Sequence, residues 1–307
     1  MPSPRELLEA FNAERSSYWA ASTVRGDLFY FERFLKFLER EGVDHVGSIT
    51  FETLDAYKHR LDTVLGCRGK PLSPRYKQKS LAIPRQFLLW AYRRGHTLVD
   101  FAPYALPRVT SPTIQAPTVA QMRKLLAAPD ASIPSGLRDL LILECFYTLG
   151  LRRHECYQLD VGDLSLRQQT LRVLGKPLRE RLMPLSARLC RLLEEYLQVA
   201  RPRLRAYPDE QALWIAPSTG QRLGDVSIRH MVARTSVRVG LPKLYPHLLR
   251  HACATHMFEA GADITQIQAF LGHSRISSTE RYVRVSPDEM ASLLKRCHPR
   301  TARDEAP

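Results

Sequence analysis

Four side chains that could bind and attack an anion lie close together near the end of the sequence. His247, Arg250, His273 and Tyr282 fall between residues 246 and 285. His247 and Arg250 are three positions apart, so on a helix they project from the same face. Two imidazoles and a guanidinium can donate hydrogen bonds to an anion, and the phenol is a potential oxygen nucleophile. This combination predicts a site for one small anion.

Two helices must position these residues. The first carries His247 and Arg250 and is predicted to end at Gly261, which can take the left-handed conformation of a helix C-cap. The second is predicted to span 263–272, because an apolar stripe there is preceded by an aspartate suited to N-capping. His273 therefore follows directly on the end of a helix.

The spacing of these residues resembles a family signature. H-x-x-R-H at 247–251, L-G-H-S at 271–274 and Tyr282, nine residues after the last histidine, resemble the C-terminal signature of the tyrosine recombinases. These are the phage-integrase and Xer-like enzymes.

Two upstream motifs resemble the same family. The G-L-R-x-x-E run at 150–155 is similar to its first arginine motif. Gly-Lys-Pro at 175–177, followed by Arg-Glu-Arg at 179–181, is similar to its lysine-bearing hairpin turn. Taken alone, Arg152 beside a glycine is more often a surface residue, and a turn lysine such as Lys176 is ordinarily solvated. The shared order and local context of all six motif residues favour the family.

The resemblance implies cleavage of a DNA phosphodiester through a 3′-phosphotyrosyl intermediate, without metal or ATP. Guanidinium forks suit the non-bridging phosphate oxygens, an imidazole titrates near neutrality, and a phenol with a pKa near ~10 needs help to ionise. The implied roles are phosphate stabilisation by Arg152, Arg250 and His273, attack by Tyr282, proton acceptance by His247 and protonation of the leaving oxygen by Lys176.

A metal site is the alternative use of the histidines. His247 and His251 are one helical turn apart and His256 is near, but the chain has no H-E-x-x-H and no paired cysteines. We therefore expect neither a metal nor a cofactor.

Charge and composition point to a polyanionic partner. Among 307 residues, Lys plus Arg number 45 and Asp plus Glu 31, which leaves a net charge of +14. Such a balance is typical of nucleic-acid binding, although an anionic membrane surface or an acidic protein would also fit. No apolar run approaches the ~20 residues needed to cross a bilayer, and the N-terminus lacks a signal-peptide core. Six cysteines without C-x-x-C spacing indicate reduced thiols and a cytoplasmic protein.

The first hundred residues show helical periodicity only. Ser22 or Thr23 is expected to cap a helix, and Pro84 to kink or split another that begins after Ser73. Between Thr63 and Val99 there is no acidic residue. A run of this kind is often a solvated face, but with the downstream signature it predicts contacts to DNA phosphates. The candidates are Arg75, Lys77, Lys79 and Arg85.

These patterns predict a mainly α-helical, two-domain protein with a small β-hairpin or sheet. Residues 1–105 form a helical core-DNA-binding domain, of the SAM-like clamp type that the resemblance implies, and the proline-rich stretch 106–117 is a linker. Residues 118–298 form the α+β catalytic domain of the family, with the hairpin at 171–184 and a C-terminal helix at 287–297. Residues 299–307 form a tail.

The resulting hypothesis is a site-specific DNA recombinase or integrase. The partners it implies are double-stranded DNA with a specific recombination site and further subunits, either a homotetramer on synapsed DNA or related recombinases, without a membrane. Charge bias favours a mobile-element enzyme over a chromosome-dimer resolvase. A topoisomerase-IB-like relaxing enzyme and a non-cleaving DNA-binding protein on the same fold stay open as alternatives. The C-terminal helix could pack on its own chain or on a neighbouring subunit.

Overall fold

The computed structural model describes residues 2–19, 21–66, 69–109, 115–175, 180–204, 207, 209–272 and 286–301. The chain divides into two compact units, Met1–Thr113 and Ile114–Pro307. The division falls inside the stretch 106–117 that the sequence marks as a linker. Three candidate catalytic residues, Lys176, His273 and Tyr282, lie outside the described residues.

Unit 1 is built from helices that enclose an aromatic core. Its α-helices are α1 (Pro4–Ser16), α2 (Ala21–Arg40), α3 (Phe51–Thr63) and α4 (Pro74–Arg93). Phe11 of α1 meets Phe31 of α2 and Phe87 of α4 at ring-centroid distances of 5.9 and 5.7 Å. Because edge-on and tilted aromatic pairs of this spacing are favourable, the rings fix how the three helices pack.

The expected cap of α2 was wrong, and so was the expected split of α4 at Pro84. Ser22 and Thr23 lie inside α2, which begins at Ala21, so neither caps it. Pro84 does not split α4, which runs on to Arg93. An interior proline costs roughly 3 kcal/mol, whereas each large apolar side chain that is buried contributes about 1.5–3 kcal/mol. Phe87 and Leu88 are buried along this helix, so core packing outweighs the proline.

Unit 2 surrounds one apolar helix. Its helices are α5 (Val119–Leu126), α6 (Pro134–Tyr147), α7 (Arg153–Gln158), α8 (Ala187–Glu195), α9 (Arg201–Arg203), α10 (Asp225–Arg238), α11 (Pro246–Glu259), α12 (Ile264–Leu271) and α13 (Pro287–Cys297), with a π-helical segment, Tyr196–Ala200, joining α8 to α9. Almost every side chain from Gly136 to Tyr147 of α6 is buried. Thr118 is the N-cap of α5 and forms a capping box with Gln121.

The predicted hairpin is confirmed and belongs to a three-stranded antiparallel sheet. Its strands are β1 (Leu164–Ser165), β2 (Thr170–Leu174) and β3 (Glu180–Pro184), in the order β1-β2-β3. Leu171 lies opposite Met183 and Val173 opposite Arg181. Successive strand residues point to opposite faces, so Arg181 shares the buried face of β3 with Met183, while Leu182 is exposed.

The last helix packs on its own unit. α13 covers the range predicted from sequence, buries Met290, Leu293 and Leu294, and packs against α11 and β3. Beyond it, His298 is fully buried, and the Arg300 Nε donates to Glu144 Oε1 at 2.9 Å. Residues 299–301, which the sequence assigns to a tail, are therefore part of the packed unit. No helix in the described residues is long and apolar enough to span a bilayer.

Candidate active site

Arg152 is positioned by local sequence. Gly150 ends the α6 segment with a positive φ of 58°, and a Cβ there would lie 2.5 Å from Leu271 Cδ2. Only glycine fits both the conformation and the space. Arg152 is the N-cap of α7, and its backbone N–H donates to Glu155 Oε2 at 2.8 Å. The G-L-R-x-x-E spacing is thus a helix start in which the glutamate caps the helix and fixes the arginine.

Three guanidinium groups gather around the Glu155 carboxylate. Arg152 Nη1 donates to Oε1 at 2.8 Å. Arg181 of β3 donates through Nη1 and Nη2 at 3.0 and 2.8 Å, and Arg250 Nη1 of α11 lies 3.9 Å from Oε2. The structure therefore brings Arg152 and Arg250 to one place, with Arg181 as a third cation.

The same arginines hold the end of α12. Arg152 Nη2 donates to the Gly272 carbonyl and Arg250 Nη2 to the Leu271 carbonyl, each at 2.8 Å, while Arg250 Nη1 donates to the Gly150 carbonyl. Carbonyls at a helix C-terminus are unpaired within the helix and carry partial negative charge, so they favour cations. His273 follows Gly272 directly in sequence, so the arginines are anchored where the segment carrying His273 and Tyr282 begins.

The cluster is strongly cationic. Burial alone would raise the pKa of Glu155, but hydrogen bonds and charges from Arg181 and Arg152 outweigh it and lower that pKa to about 2. Burial, and then repulsion from Arg152, lowers the pKa of Arg250 to about 10, which leaves it charged at neutral pH. Three positive charges thus face one negative charge. Since 41% of the Arg152 side chain is exposed, its charge is accessible to an anionic ligand.

His247 lies one turn before Arg250 on α11 and is exposed. The i, i+3 relation places the imidazole and the guanidinium on the same side of the helix. Partial desolvation, then the charges of Arg229 and His251, lowers the pKa of His247. A neutral imidazole at physiological pH can accept a proton.

The histidines of α11 do not share one environment. His256 is buried and its Nδ1 lies 2.9 Å from the Tyr147 hydroxyl, whereas His247 and His251 are exposed. His256 is therefore part of the core of unit 2, and the three histidines do not form a common set of metal ligands.

Sequence reasoning assigned no role to Arg181. The residue stands in the Arg-Glu-Arg run that supports the family resemblance, but its inward direction depends on the strand register. Because Arg181 belongs to β3, it also ties the hairpin, between whose strands Lys176 falls in the sequence, to the arginine cluster. The signal that could have identified Arg181 is a basic residue at an inward-facing position of a strand, with a buried glutamate to pair with it.

In unit 1 the four basic candidates have different surroundings. Lys77 forms an ion pair with Asp62 at 2.6 Å, and Lys79 lies 3.6 Å from an Asp27 oxygen. Arg85 donates from Nε to the Phe101 carbonyl at 2.8 Å and from Nη2 to the Ala102 carbonyl. Arg75 is exposed at the start of α4. Arg75 is therefore the most available to a ligand, and Arg85 is committed to its own domain.

Known proteins resemble this chain over most of its length. Residues 117–289 match the phage integrase family. Tyrosine recombinase XerC of Pelotomaculum thermopropionicum is 37% identical over 232 residues, covering 72% of this chain and 74% of that protein. Tyrosine recombinase XerC 2 of Ralstonia nicotianae is 31% identical over 299 residues, covering 94% and 84%.

Among solved structures, a lambda integrase tetramer bound to a Holliday junction superposes with a TM-score of 0.64 at 15% identity. The match covers 90% of this chain and 76% of that one. At 15% identity, this likeness indicates a shared fold.

Proposed function

The chain belongs to the phage integrase family, and on that premise we propose that it is a site-specific tyrosine recombinase whose nucleophile is Tyr282. The observation that carries this proposal is the convergence of Arg152 and Arg250 on Glu155 and on the end of α12. These two guanidiniums come from positions far apart in the chain. They meet where the segment bearing His273 and Tyr282 continues.

The cluster suits the transition state of phosphoryl transfer. Attack on a phosphodiester increases the negative charge on its non-bridging oxygens, and preorganised cationic donors stabilise that charge. One well-placed donor is worth roughly 3–4 kcal/mol. Arg152 and Arg250, already fixed by Glu155 and helix carbonyls, supply such donors with little reorganisation, and His273 adds a third.

Proton transfer completes the step. His247 accepts the Tyr282 phenolic proton as the tyrosine oxygen bonds to phosphorus. The bond from phosphorus to the 5′-oxygen breaks, and Lys176 donates the proton that this oxygen needs. The product is a 3′-phosphotyrosyl link and a free 5′-hydroxyl. A 5′-hydroxyl from another strand reverses the step and rejoins the DNA, so the phosphodiester's energy is kept.

The substrate we propose is duplex DNA, recognised by both units and joined by a tetramer of subunits. The net charge of +14 supports a polyanionic partner, as does the assembly in which lambda integrase binds a Holliday junction. We place the reaction in the cytoplasm because the cysteines in the described residues are free thiols.

A covalent-trapping experiment tests the nucleophile. Duplexes selected from a randomised library for binding are nicked beside the bound site, so that a cleaved strand diffuses away and the protein–DNA adduct accumulates. The expected result is an adduct resistant to denaturing detergent, absent from Tyr282→Phe. Tyr207→Phe, which alters an exposed tyrosine of the same unit, should form the adduct normally.

The trapping assay, combined with assays on a plasmid, separates the alternatives. Specific binding with no adduct would favour a non-cleaving DNA-binding protein. Adduct formation with supercoil relaxation, but without exchange between two sites on one plasmid, would favour a topoisomerase-like enzyme. Exchange between the two sites supports the recombinase.

A further inference from the structure

A short stack of rings and cations stands beside His247, separate from the hydrogen-bonded arginines. The Tyr245 ring is nearly parallel to the His247 imidazole, with centroids 6.1 Å apart and an interplanar angle of 9°. The Arg229 guanidinium carbon lies 4.9 Å from the Tyr245 ring centroid, and the Lys243 Nζ lies 5.9 Å from it. These spacings are those of offset aromatic pairs and cation–π contacts.

Local sequence holds this stack in place. Tyr245 is the N-cap of α11, in extended backbone with φ −136° and ψ 159°. Pro246 favours that conformation in the residue before it and is preorganised for the first helical position. The proline therefore sets the direction from Tyr245 to His247. Arg229 comes from α10, so the stack joins two helices across the loop between them.

The stack bears on what His247 must do in the proposed reaction. A general base must be neutral before it accepts a proton, and its ring must be aimed at the group it deprotonates. An imidazolium next to a fixed cation is disfavoured by repulsion, and a ring packed in parallel resists rotation. A cation–π contact keeps Arg229 near the imidazole with no hydrogen bond to it.

We propose that Tyr245 and Arg229 are positioning residues for His247, with the Tyr245 ring setting the plane of the imidazole and Arg229 holding it in its neutral, proton-accepting form. This inference rests on the proposed function, in which His247 is the base. It goes further by assigning two residues that the family signature in this sequence does not include.

The charges around His247 favour its neutral form. In the described part of the chain, the imidazole has Arg229 on α10, Lys243 and Tyr245 in the preceding loop, and Arg250 and His251 on α11 as charged or titratable neighbours. None of these carries negative charge at neutral pH. Desolvation, Arg229 and His251 each lower the pKa of His247, so each favours the neutral ring.

Two pairs of variants test the two roles. Arg229→Gln removes the cation, and Arg229→Lys keeps it. Tyr245→Ser removes the ring, and Tyr245→Phe keeps it. The imidazole proton of His247, assigned with His247→Gln, is titrated by NMR in the free protein. The rate of adduct formation is measured against pH at saturating protein on the nicked duplex.

The expected result is that Arg229→Gln raises the pKa of His247 by NMR and moves the acid limb of the rate profile to higher pH, while Arg229→Lys does neither. Tyr245→Ser should lower the plateau rate, by up to the ~10²-fold that a general base contributes, and Tyr245→Phe should leave it unchanged.

A contact of Arg229 with DNA alone would look different. Arg229→Gln would then weaken binding while the NMR titration and the rate profile at saturation stayed as in the wild type, and the inference would be overturned. Equal plateau rates for Tyr245→Ser and Tyr245→Phe would overturn the role of the ring. If the wild-type protein forms no adduct, the proposed function fails, and the NMR titration still decides whether Arg229 tunes His247.

Discussion

Arg181 donates hydrogen bonds to both carboxylate oxygens of Glu155, across 26 positions of sequence. Glu155 in turn fixes the backbone and the guanidinium of Arg152. The chain of contacts therefore runs from the strand of the hairpin, through one buried carboxylate, to Arg152, the arginine proposed to bind phosphate. This contact joins the hairpin to the pair of arginines in the proposed catalytic site.

Replacing Arg181 should disturb stability and catalysis together. The side chains of Arg181 and Glu155 are only 12% and 3% exposed, and removing one partner of a buried ion pair costs about 3–5 kcal/mol. Arg181→Met should lower the free energy of unfolding by roughly that amount. Arg181→Lys should keep part of the stability but slow adduct formation, because lysine cannot make the paired contact.

Arg153→Met is the matched control for that experiment. Arg153 pairs with Asp225, and the two side chains are 41% and 35% exposed. Solvent-exposed ion pairs are worth about 0–1 kcal/mol, so urea unfolding should detect little change. Equal losses in the Arg181 and Arg153 variants would contradict a special role for the buried pair.

Gly150→Ala should loosen the arginine cluster. The substitution adds a Cβ at a positive φ and within 2.5 Å of the Leu271 side chain. Backbone strain of about 1–2 kcal/mol is then joined by an overpacking cost of about 1–3 kcal/mol. Because Gly150 also accepts a hydrogen bond from Arg250, adduct formation should slow as well.

Gly261→Ala separates the cost of backbone strain from the cost of overpacking. Gly261 has a φ of 87°, and a Cβ added there would have nothing within 4 Å of it, so only backbone strain applies. Chemical unfolding should show a smaller loss than for Gly150→Ala, and the rate of adduct formation should be preserved. An equal loss in both variants would mean that contact with Leu271 is unimportant.

The stability of unit 2 should fall as the pH drops from about 6.5 to about 4. His298 Nε2 donates to the Tyr147 carbonyl at 3.1 Å, and its Nδ1 accepts from the Arg300 backbone N–H at 3.2 Å. Both nitrogens of the neutral ring are thus hydrogen-bonded, and burial lowers the pKa of His298 to about 4. The unfolded chain binds the proton at higher pH, so acid favours unfolding by up to about 3 kcal/mol.

Urea unfolding at a series of pH values measures this effect. His298→Gln should reduce the slope of stability against pH between about 6.5 and 4.5. The remainder includes His256 and His247, whose pKa values are also lowered by desolvation. His154→Gln changes an exposed histidine of the same unit and should leave the slope as it is. A slope unaffected by His298→Gln would refute this assignment.

Arg75 and Arg85 should respond differently to replacement by glutamine. Arg75 is exposed at the start of α4, so Arg75→Gln should weaken DNA binding and reduce the salt slope by about 1 if it contacts a phosphate. Arg85 binds two carbonyls of its own domain, so Arg85→Gln should mainly lower the stability of unit 1. Binding titrations at several salt concentrations, beside thermal unfolding, distinguish the two.

Much of the architecture follows from local pattern. The caps Thr118, Asp263 and Ser286, the left-handed turn at Gly272 and the hairpin strands are encoded within a few residues of where they act. The G-L-R-x-x-E unit is also local, because Glu155 reaches Arg152 from the next helical turn. Such features depend on short spacings that a sequence displays directly.

Other features were decided only by packing between distant segments. Pro84 stays inside a continuous helix because the core of unit 1 holds it there. The register of β3 turns Arg181 inward and leaves Leu182 exposed, although the apolar pattern alone gave Arg181 no role. A strand register is a property of two segments, and a shift by one residue reverses every side chain.

The sequence by itself determined the helical content, the order of the family motifs and the residue types of the candidate site. Tertiary structure alone decided that one buried carboxylate gathers three arginines and that a tyrosine and an arginine stand beside His247. The physical reason is that helix caps and periodicity act over one or two turns of chain. The cluster instead balances charges from α7, β3 and α11, whose positions depend on the packed core of the whole unit.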